Sequence, residues 1–374
     1  MTILNTIHKL GQSLWYDGMS RGLIDSGGFA KLISDGIVGV TSNPAIFAAA
    51  IGQSTDYDQA ISQGLKKGIR DPKALYEYFA IDDIQRVTNL FRPEYERTKA
   101  GDGYVSLEVS PLLAHDTAGS IAEAVRLHSA VDRPNLMIKI PATPEGLPAI
   151  TDLIARGICV NITLLFSVDA YEKVTNAYMT GLEQRQKAGL PLANIASVAS
   201  FFVSRIDSLV DEILSKSSHP AAKALLGEIA VANAYEAYAK YEAVIASPRW
   251  KALAKSGAQP QRLLWASTST KNPAYPKTKY VDALIAPQTV NTIPPDTVHA
   301  LFDTASQPRA AFTTDWGPHL AKARAQLASL AETGISLTKA TDQLLSEAIK
   351  KFADPFNQLL GLLQKKAAAL TQSV

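Results

Sequence analysis

Four residues in this chain have the types and placement to make and break bonds to carbon: Lys139, Glu108, Asp17 and Thr163. Each lies in or at the end of a short apolar run and falls on the polar side when the run is read with the two-residue alternation of a β-strand. In the run 104–110, Val105, Leu107 and Val109 share one face and Ser106, Glu108 and Ser110 the other. Around Lys139, Ile138 and Ile140 point the opposite way. Val160, Ile162 and Leu164 oppose Asn161 and Thr163; Val38 and Val40 oppose Thr41 and Asn43; Leu14 and Tyr16 oppose Asp17.

The chemistry that fits is covalent catalysis through an imine. A lysine amine among strand neighbours is partly desolvated, which disfavours the ammonium and favours the neutral nucleophile that attacks a carbonyl. Lys139 is the one lysine placed this way. Expelling water from the addition product needs a proton shuttle, which Glu108 supplies directly or through a water held by Thr163. Asp17 adds a second carboxylate, able to take a proton from a substrate hydroxyl and open the carbon–carbon bond next to the imine. The competing readings are structural: a buried Lys–Glu ion pair, Asp17 and Asn43-Pro44 as turn or cap residues, and Thr163 as an ordinary β-branched strand residue. Against them stands convergence, since five inward polar groups at five strand ends would all have to be satisfied inside one core.

The elements that would position these groups are eight strand candidates, at 13–17, 37–43, 104–110, 136–142, 158–165, 195–202, 262–268 and 283–287, alternating with helical stretches. That order predicts a closed parallel (β/α)₈ barrel of the TIM type, in which inward side chains at the strand C-termini line the site. An open doubly wound sheet would bury both strand faces and more often carry a glycine-rich turn after its first strand, which Trp15-Tyr16-Asp17-Gly18 is not. Helix starts are expected at Asp71-Pro72, at Asp116 before 117–131 and at Ser167 before 168–187. Extra helices are expected in an insertion after the sixth strand (about 204–260, with a long helix over 220–245) and in a tail (about 316–374) that packs on the barrel. With no short repeat or linker, residues 1–374 read as a single domain.

Composition excludes more than it selects. A net charge of +2 gives no reason to expect nucleic acid or a membrane surface as a partner. The single cysteine, Cys159, rules out an internal disulfide framework, and it also fits as a small buried hydrophobe. The six histidines form no metal-binding spacing, so the chemistry is expected to need no metal and no cofactor. No secretory leader or bilayer-spanning run is apparent, which makes the cytoplasm the expected location.

Six segments carry a family resemblance: VGVTSNPAIF (38–47), VSLEVSPLLAHD (105–116), LMIKIPAT (136–143), VNITLLFS (160–167), SFFVSRID (200–207) and WASTSTKNPAYPKTKYVDALIAPQTVNTIP (265–294). Together, and in this order, they resemble transaldolase in its longer bacterial form. The resemblance implies transfer of a dihydroxyacetone unit from sedoheptulose 7-phosphate or fructose 6-phosphate to glyceraldehyde 3-phosphate or erythrose 4-phosphate, in the non-oxidative pentose phosphate pathway. Carried over by position, it makes Lys139 the Schiff-base lysine, Glu108 and Thr163 the holders of the catalytic water, and Asp17 the acid/base at the donor C4 hydroxyl. Asn43 and Asn161 would hydrogen-bond the donor, and Thr41 and Ser200 would line the same pocket. Arg205 would hold the phosphate. Shorter relatives have an arginine after strand seven, where this chain reads STSTKN (267–272), so Lys271 or the Ser267 and Ser269 hydroxyls would serve. Some longer members are fused to a sugar-phosphate isomerase; the residues after Lys366 are too few for that, so transfer alone is expected. The rivals are a fructose-6-phosphate aldolase-like lyase that releases free dihydroxyacetone, and a non-catalytic sugar-phosphate-binding protein. Assembly as a monomer or a homodimer is left open.

Overall fold

The computed structural model describes residues 2–304, 307–312 and 315–372; the last two residues of the expected tail, 373 and 374, lie outside them. Eight parallel strands close into one barrel in sequential order: β1 (Gln12–Asp17), β2 (Val40–Thr41), β3 (Val105–Glu108), β4 (Leu136–Pro141), β5 (Val160–Leu165), β6 (Ser197–Phe202), β7 (Arg262–Ala266) and β8 (Thr289–Ile293). The expected (β/α)₈ architecture is therefore present. Outward residues Val105, Ile138, Ile140, Val160 and Ile162 are fully buried under the surrounding helices.

Three expected helix starts fall where the capping side chains put them. Asp71 accepts from Ala74 N, Asp116 from Gly119 N and Ser167 from Ala170 N, beginning helices Pro72–Arg97, Thr117–Val131 and Val168–Lys187. The expected helix over 220–245 is broken. Gly227 adopts φ 74° and separates Ala222–Leu225 from Ile229–Ala246, and its N–H is drawn to Asp211 Oδ1 at 2.8 Å. Gly334, at φ 83°, likewise divides the tail into Gly317–Glu332 and a last helix, Leu337–Gln372.

Three strands depart from expectation, β2 in keeping only Val40–Thr41 of the expected 37–43. The eighth is Thr289–Ile293, not 283–287. Leu284, Ile285 and Ala286 are buried as an apolar run should be, but their polar groups are committed elsewhere. The Leu284 carbonyl accepts from Gln12 Nε2 and Trp265 Nε1, the Ile285 carbonyl accepts from Ala311 N, and Pro287 has no N–H to give a ladder. In β5 the strict alternation ends at Thr163: the register against β6 shifts between Ile162 and Leu165, and Leu164 takes φ 65°. A leucine in the left-handed region is a strained residue, at a cost of roughly 1–3 kcal/mol, and it sits directly beside the barrel mouth.

The opposite, N-terminal end of the barrel is closed by a polar plug. The Asp102 carboxylate accepts from Ser13 Oγ at 2.6 Å and Trp15 Nε1 at 2.9 Å and pairs with Arg262 at 3.2 Å. Trp15 fills the space beside Gly39, where an added Cβ would come within 2.7 Å of the indole ring. Removing Asp102 would leave the Trp15 indole N–H without its acceptor and the largely buried Arg262 guanidinium without its counter-charge, with only the Gly101 and Thr289 carbonyls and Ser13 Oγ as partners. Asp102→Ala is thus expected to destabilise the fold by about 3–5 kcal/mol. A urea midpoint unchanged from that of the parent chain would contradict this account of the plug.

The last helix crosses the C-terminal mouth of the barrel. Leu345 lines, with Leu164 and Phe166, a cleft of about 650 Å³ above β5. Phe356 packs edge-on against Tyr76, and Lys366 Nζ donates to Asp58 Oδ1 at 2.7 Å and to the Ser54 carbonyl at 3.1 Å. No helix of the described residues is long and apolar enough to cross a membrane.

Candidate active site

Register places the catalytic candidates on shared rungs at the strand C-termini. Glu108 of β3 is paired with Lys139 of β4, which is paired with Asn161 of β5; Asp17, Thr41 and Ser106 form a second rung across β1, β2 and β3. Lys139 and Glu108 are only 6% and 8% exposed, so both ionisable groups are held inside the barrel. The Lys139 ammonium lies 3.4 Å from Glu108 Oε2 and donates to the Ser42 carbonyl at 3.2 Å. Thr41 Oγ1 donates to Asp17 Oδ1 at 2.7 Å and meets Thr292 Oγ1 at 2.6 Å.

Both carboxyls are pushed above the ordinary carboxylate range. For Glu108 the main cause is desolvation, opposed by Lys139 and reinforced by Asp17. For Asp17 it is again desolvation, opposed by Lys139, by the Thr41 hydrogen bond and by Lys271. Each acid thus senses the charge of the same lysine. Carboxyls raised in this way are suited to give and take protons beside a lysine amine.

Glu108 Oε2 and Thr163 Oγ1 are both buried and find no hydrogen-bond partner among the described residues. A water bridging them would satisfy both. Asn161 is engaged on both sides, accepting from Ser200 Oγ at 2.7 Å and donating to Ser106 Oγ at 3.0 Å. Asn43 caps helix Pro44–Gln53 through Oδ1, which accepts from Ile46 N at 3.0 Å, so the turn reading of this residue holds; its amide nitrogen has no partner among the described residues.

The charged rim comes from helices and loops beyond the strands. Arg205 is the second residue of helix Ser204–Leu214, directly after β6. Lys271, in the loop after β7, donates to Ser269 Oγ at 2.7 Å. Its pKa is lowered by desolvation and by Arg205 and raised by Asp17, which places it electrostatically between the acid end and the second cation. Ser267 is drawn away from this group. Its hydroxyl meets Ser204 Oγ at 3.0 Å and its carbonyl accepts from Ser204 N, so it fastens β7 to the helix that carries Arg205.

The barrel thus carries a lysine on strand four beside a strand-three glutamate, with an aspartate at the end of strand one. A family model described as Transaldolase/Fructose-6-phosphate aldolase matches residues 14–363. The chain belongs to that family. It is 47% identical over 374 residues to a transaldolase of Trichodesmium erythraeum (strain IMS101), covering 98% of this chain and 97% of the relative. A protein named Transaldolase 1 from Streptomyces avermitilis is 47% identical over 367 residues, with 96% of each chain covered. A transaldolase of Thermobifida fusca (strain YX) is 46% identical over 370 residues, covering 98% and 99%.

Within this family frame the sequence reading omitted three side chains that the structure brings to the site. Thr292, the partner of Thr41, lies on β8 beyond the apolar run at 283–287, and Thr289–Ile293 mixes polar and apolar residues on both faces, so parity gives no signal there. Ser106 was on the polar face of β3, but its link to Asn161 needs the closed barrel to exist. Phe352 comes from the last helix, where its place on an apolar face gives no sign of its contact with Arg205.

Proposed function

We propose that this chain is a transaldolase acting through a Lys139 Schiff base, and the observation that carries the reading is Lys139 enclosed with Glu108 and Asp17 inside the barrel mouth. Neutral Lys139 Nζ adds to the C2 carbonyl of the ketose phosphate donor, sedoheptulose 7-phosphate or fructose 6-phosphate. The carbinolamine hydroxyl leaves as water, taking a proton from Glu108 through the water held with Thr163. The Asp17 carboxylate then removes the proton of the C4 hydroxyl, the C3–C4 bond breaks, and its electron pair passes into the imine to give an enamine. The first aldose phosphate departs. Glyceraldehyde 3-phosphate or erythrose 4-phosphate enters, the enamine carbon attacks its aldehyde, and Asp17 returns its proton to the new hydroxyl. Addition of water to the imine releases the product and restores Lys139.

Thr41 holds Asp17 in this scheme, Asn43 and Asn161 orient the donor hydroxyls, and Ser200 fixes the Asn161 amide. Arg205 and Lys271 take the phosphate, since a guanidinium fork beside an ammonium suits a dianion. The Ser267 hydroxyl, which also fastens β7 to the helix carrying Arg205, adds a polar group at the phosphate end of the site. The insertion and the last two helices belong to the same domain as the barrel. The proposal also carries a cytoplasmic enzyme that needs no cofactor and works as a monomer or homodimer, which a light-scattering mass would distinguish.

The family description covers both transfer and simple aldol cleavage, whereas the relatives compared carry the name transaldolase. The two readings separate in one assay. Consumption of fructose 6-phosphate should depend on added erythrose 4-phosphate and fall to background without it. Equal rates with and without the acceptor would make the chain a lyase.

A further inference from the structure

Arg205 is held in an unusual way for a half-buried arginine. Its guanidinium makes no hydrogen bond and no salt bridge with any described residue. What it does contact are two aromatic faces: its Cζ lies 5.5 Å from the Phe202 ring centroid and 5.9 Å from that of Phe352. Phe202 is a neighbour in sequence at the end of β6. Phe352 is not, and reaches Arg205 only because the last helix crosses the barrel mouth.

We propose that Phe352 is a positioning residue for the donor phosphate, holding the Arg205 guanidinium by its face so that its N–H donors stay free for the anion. The argument rests on the reading of Arg205 as a phosphate ligand. A salt bridge would fix an arginine equally well, but it would consume the donors that a phosphate needs; packing against ring faces fixes the plane and leaves the donor edge uncommitted. The surroundings favour an incoming anion. Burial disfavours the Arg205 cation, the Glu347 carboxylate offsets this only in part, and Arg205 in turn disfavours the Lys271 cation. A dianion shared between them removes both penalties.

The last helix is anchored independently of this contact. Phe356, one turn beyond Phe352, is buried against Tyr76, Leu359 and Leu363 are fully buried, and Lys366 is tied to Asp58. Removing the Phe352 ring should therefore loosen Arg205 without releasing the helix.

The test compares Phe352→Leu, Phe352→Tyr and Arg205→Ala in the full chain, measuring KM and kcat for fructose 6-phosphate and the inhibition constant of inorganic phosphate. Phe352→Leu keeps an apolar side chain but no ring face. It should raise KM and the phosphate inhibition constant together, by roughly tenfold, with a smaller change in kcat. Phe352→Tyr, which keeps the ring, should restore both constants. If Arg205→Ala weakens phosphate inhibition and Phe352→Leu does not, the role given to Phe352 is wrong. The same holds if Phe352→Leu and Phe352→Tyr lower kcat alike with KM unchanged, since that would be a packing effect. If Arg205→Ala leaves phosphate inhibition intact, the phosphate reading of Arg205 fails, and this inference fails with it.

Discussion

Lys139→Ala is expected to abolish transfer of the dihydroxyacetone unit while leaving the chain folded. Without the amine no covalent intermediate forms, and the loss of that intramolecular route is on the order of 10⁵-fold in rate. Lys139→Arg should be equally inactive, because a guanidinium stays protonated and is no nucleophile. Folding should survive the change to alanine for a reason visible in the site. The Glu108 carboxyl is already pushed upward by desolvation, with Lys139 as the chief opposing charge. When the ammonium is removed, the acid can take a proton and become neutral instead of standing as an unpaired buried charge. Steady-state assays with fructose 6-phosphate and erythrose 4-phosphate, together with a thermal melt, check both halves. Full substrate affinity in Lys139→Ala, with no turnover in the parent chain, would instead describe a sugar-phosphate-binding protein.

The second large effect is expected at Asp17. Asp17→Asn should lower kcat by about 10²–10⁴-fold, the usual scale for removing a general acid/base. It should nevertheless still form the imine, because imine formation uses Lys139 and Glu108. The variant would therefore accumulate a donor adduct it cannot cleave, visible by reductive trapping. Glu108→Gln should show the opposite pattern, with slow adduct formation. The pH dependence follows from the direction of the shifts. Asp17 must be a carboxylate to accept the C4 hydroxyl proton, and its pKa is raised, so activity should fall as pH drops through a value above the ordinary carboxylate range. Because Asp17 acts electrostatically on Glu108, the acid limb of the kcat/KM profile reports the two acids together rather than either alone. An acid limb at or below the ordinary range of an aspartate would contradict the burial of this site.

The chemically central part of the site was legible because parity is a local property. Alternation in 105–109 and 136–140 puts Glu108 and Lys139 on one face, and closure of a parallel barrel then makes that face the interior. Helix starts at Asp71, Asp116 and Ser167 were equally local, each a side chain bonding a backbone N–H three residues on. Failures came where backbone groups answer to distant partners. The apolar run at 284–286 resembles a strand, yet its Leu284 carbonyl serves the Gln12 and Trp265 side chains and its Ile285 carbonyl the Ala311 N–H, none of them in a neighbouring strand position that periodicity could reveal. The bulge at Leu164 and the glycine breaks at Gly227 and Gly334 interrupt patterns that periodicity alone continues. Phe352 shows the limit most clearly, since a partly buried aromatic on an amphipathic helix gives no sign that its neighbour is Arg205.

The central claim is that Lys139 is the residue that bonds the donor, and borohydride reduction tests it most directly. Incubating the chain with fructose 6-phosphate and borohydride, then digesting it, should place a three-carbon adduct on the peptide containing Lys139 and inactivate the protein in step with labelling. An adduct on any other peptide, or none at all under turnover conditions, would contradict the account.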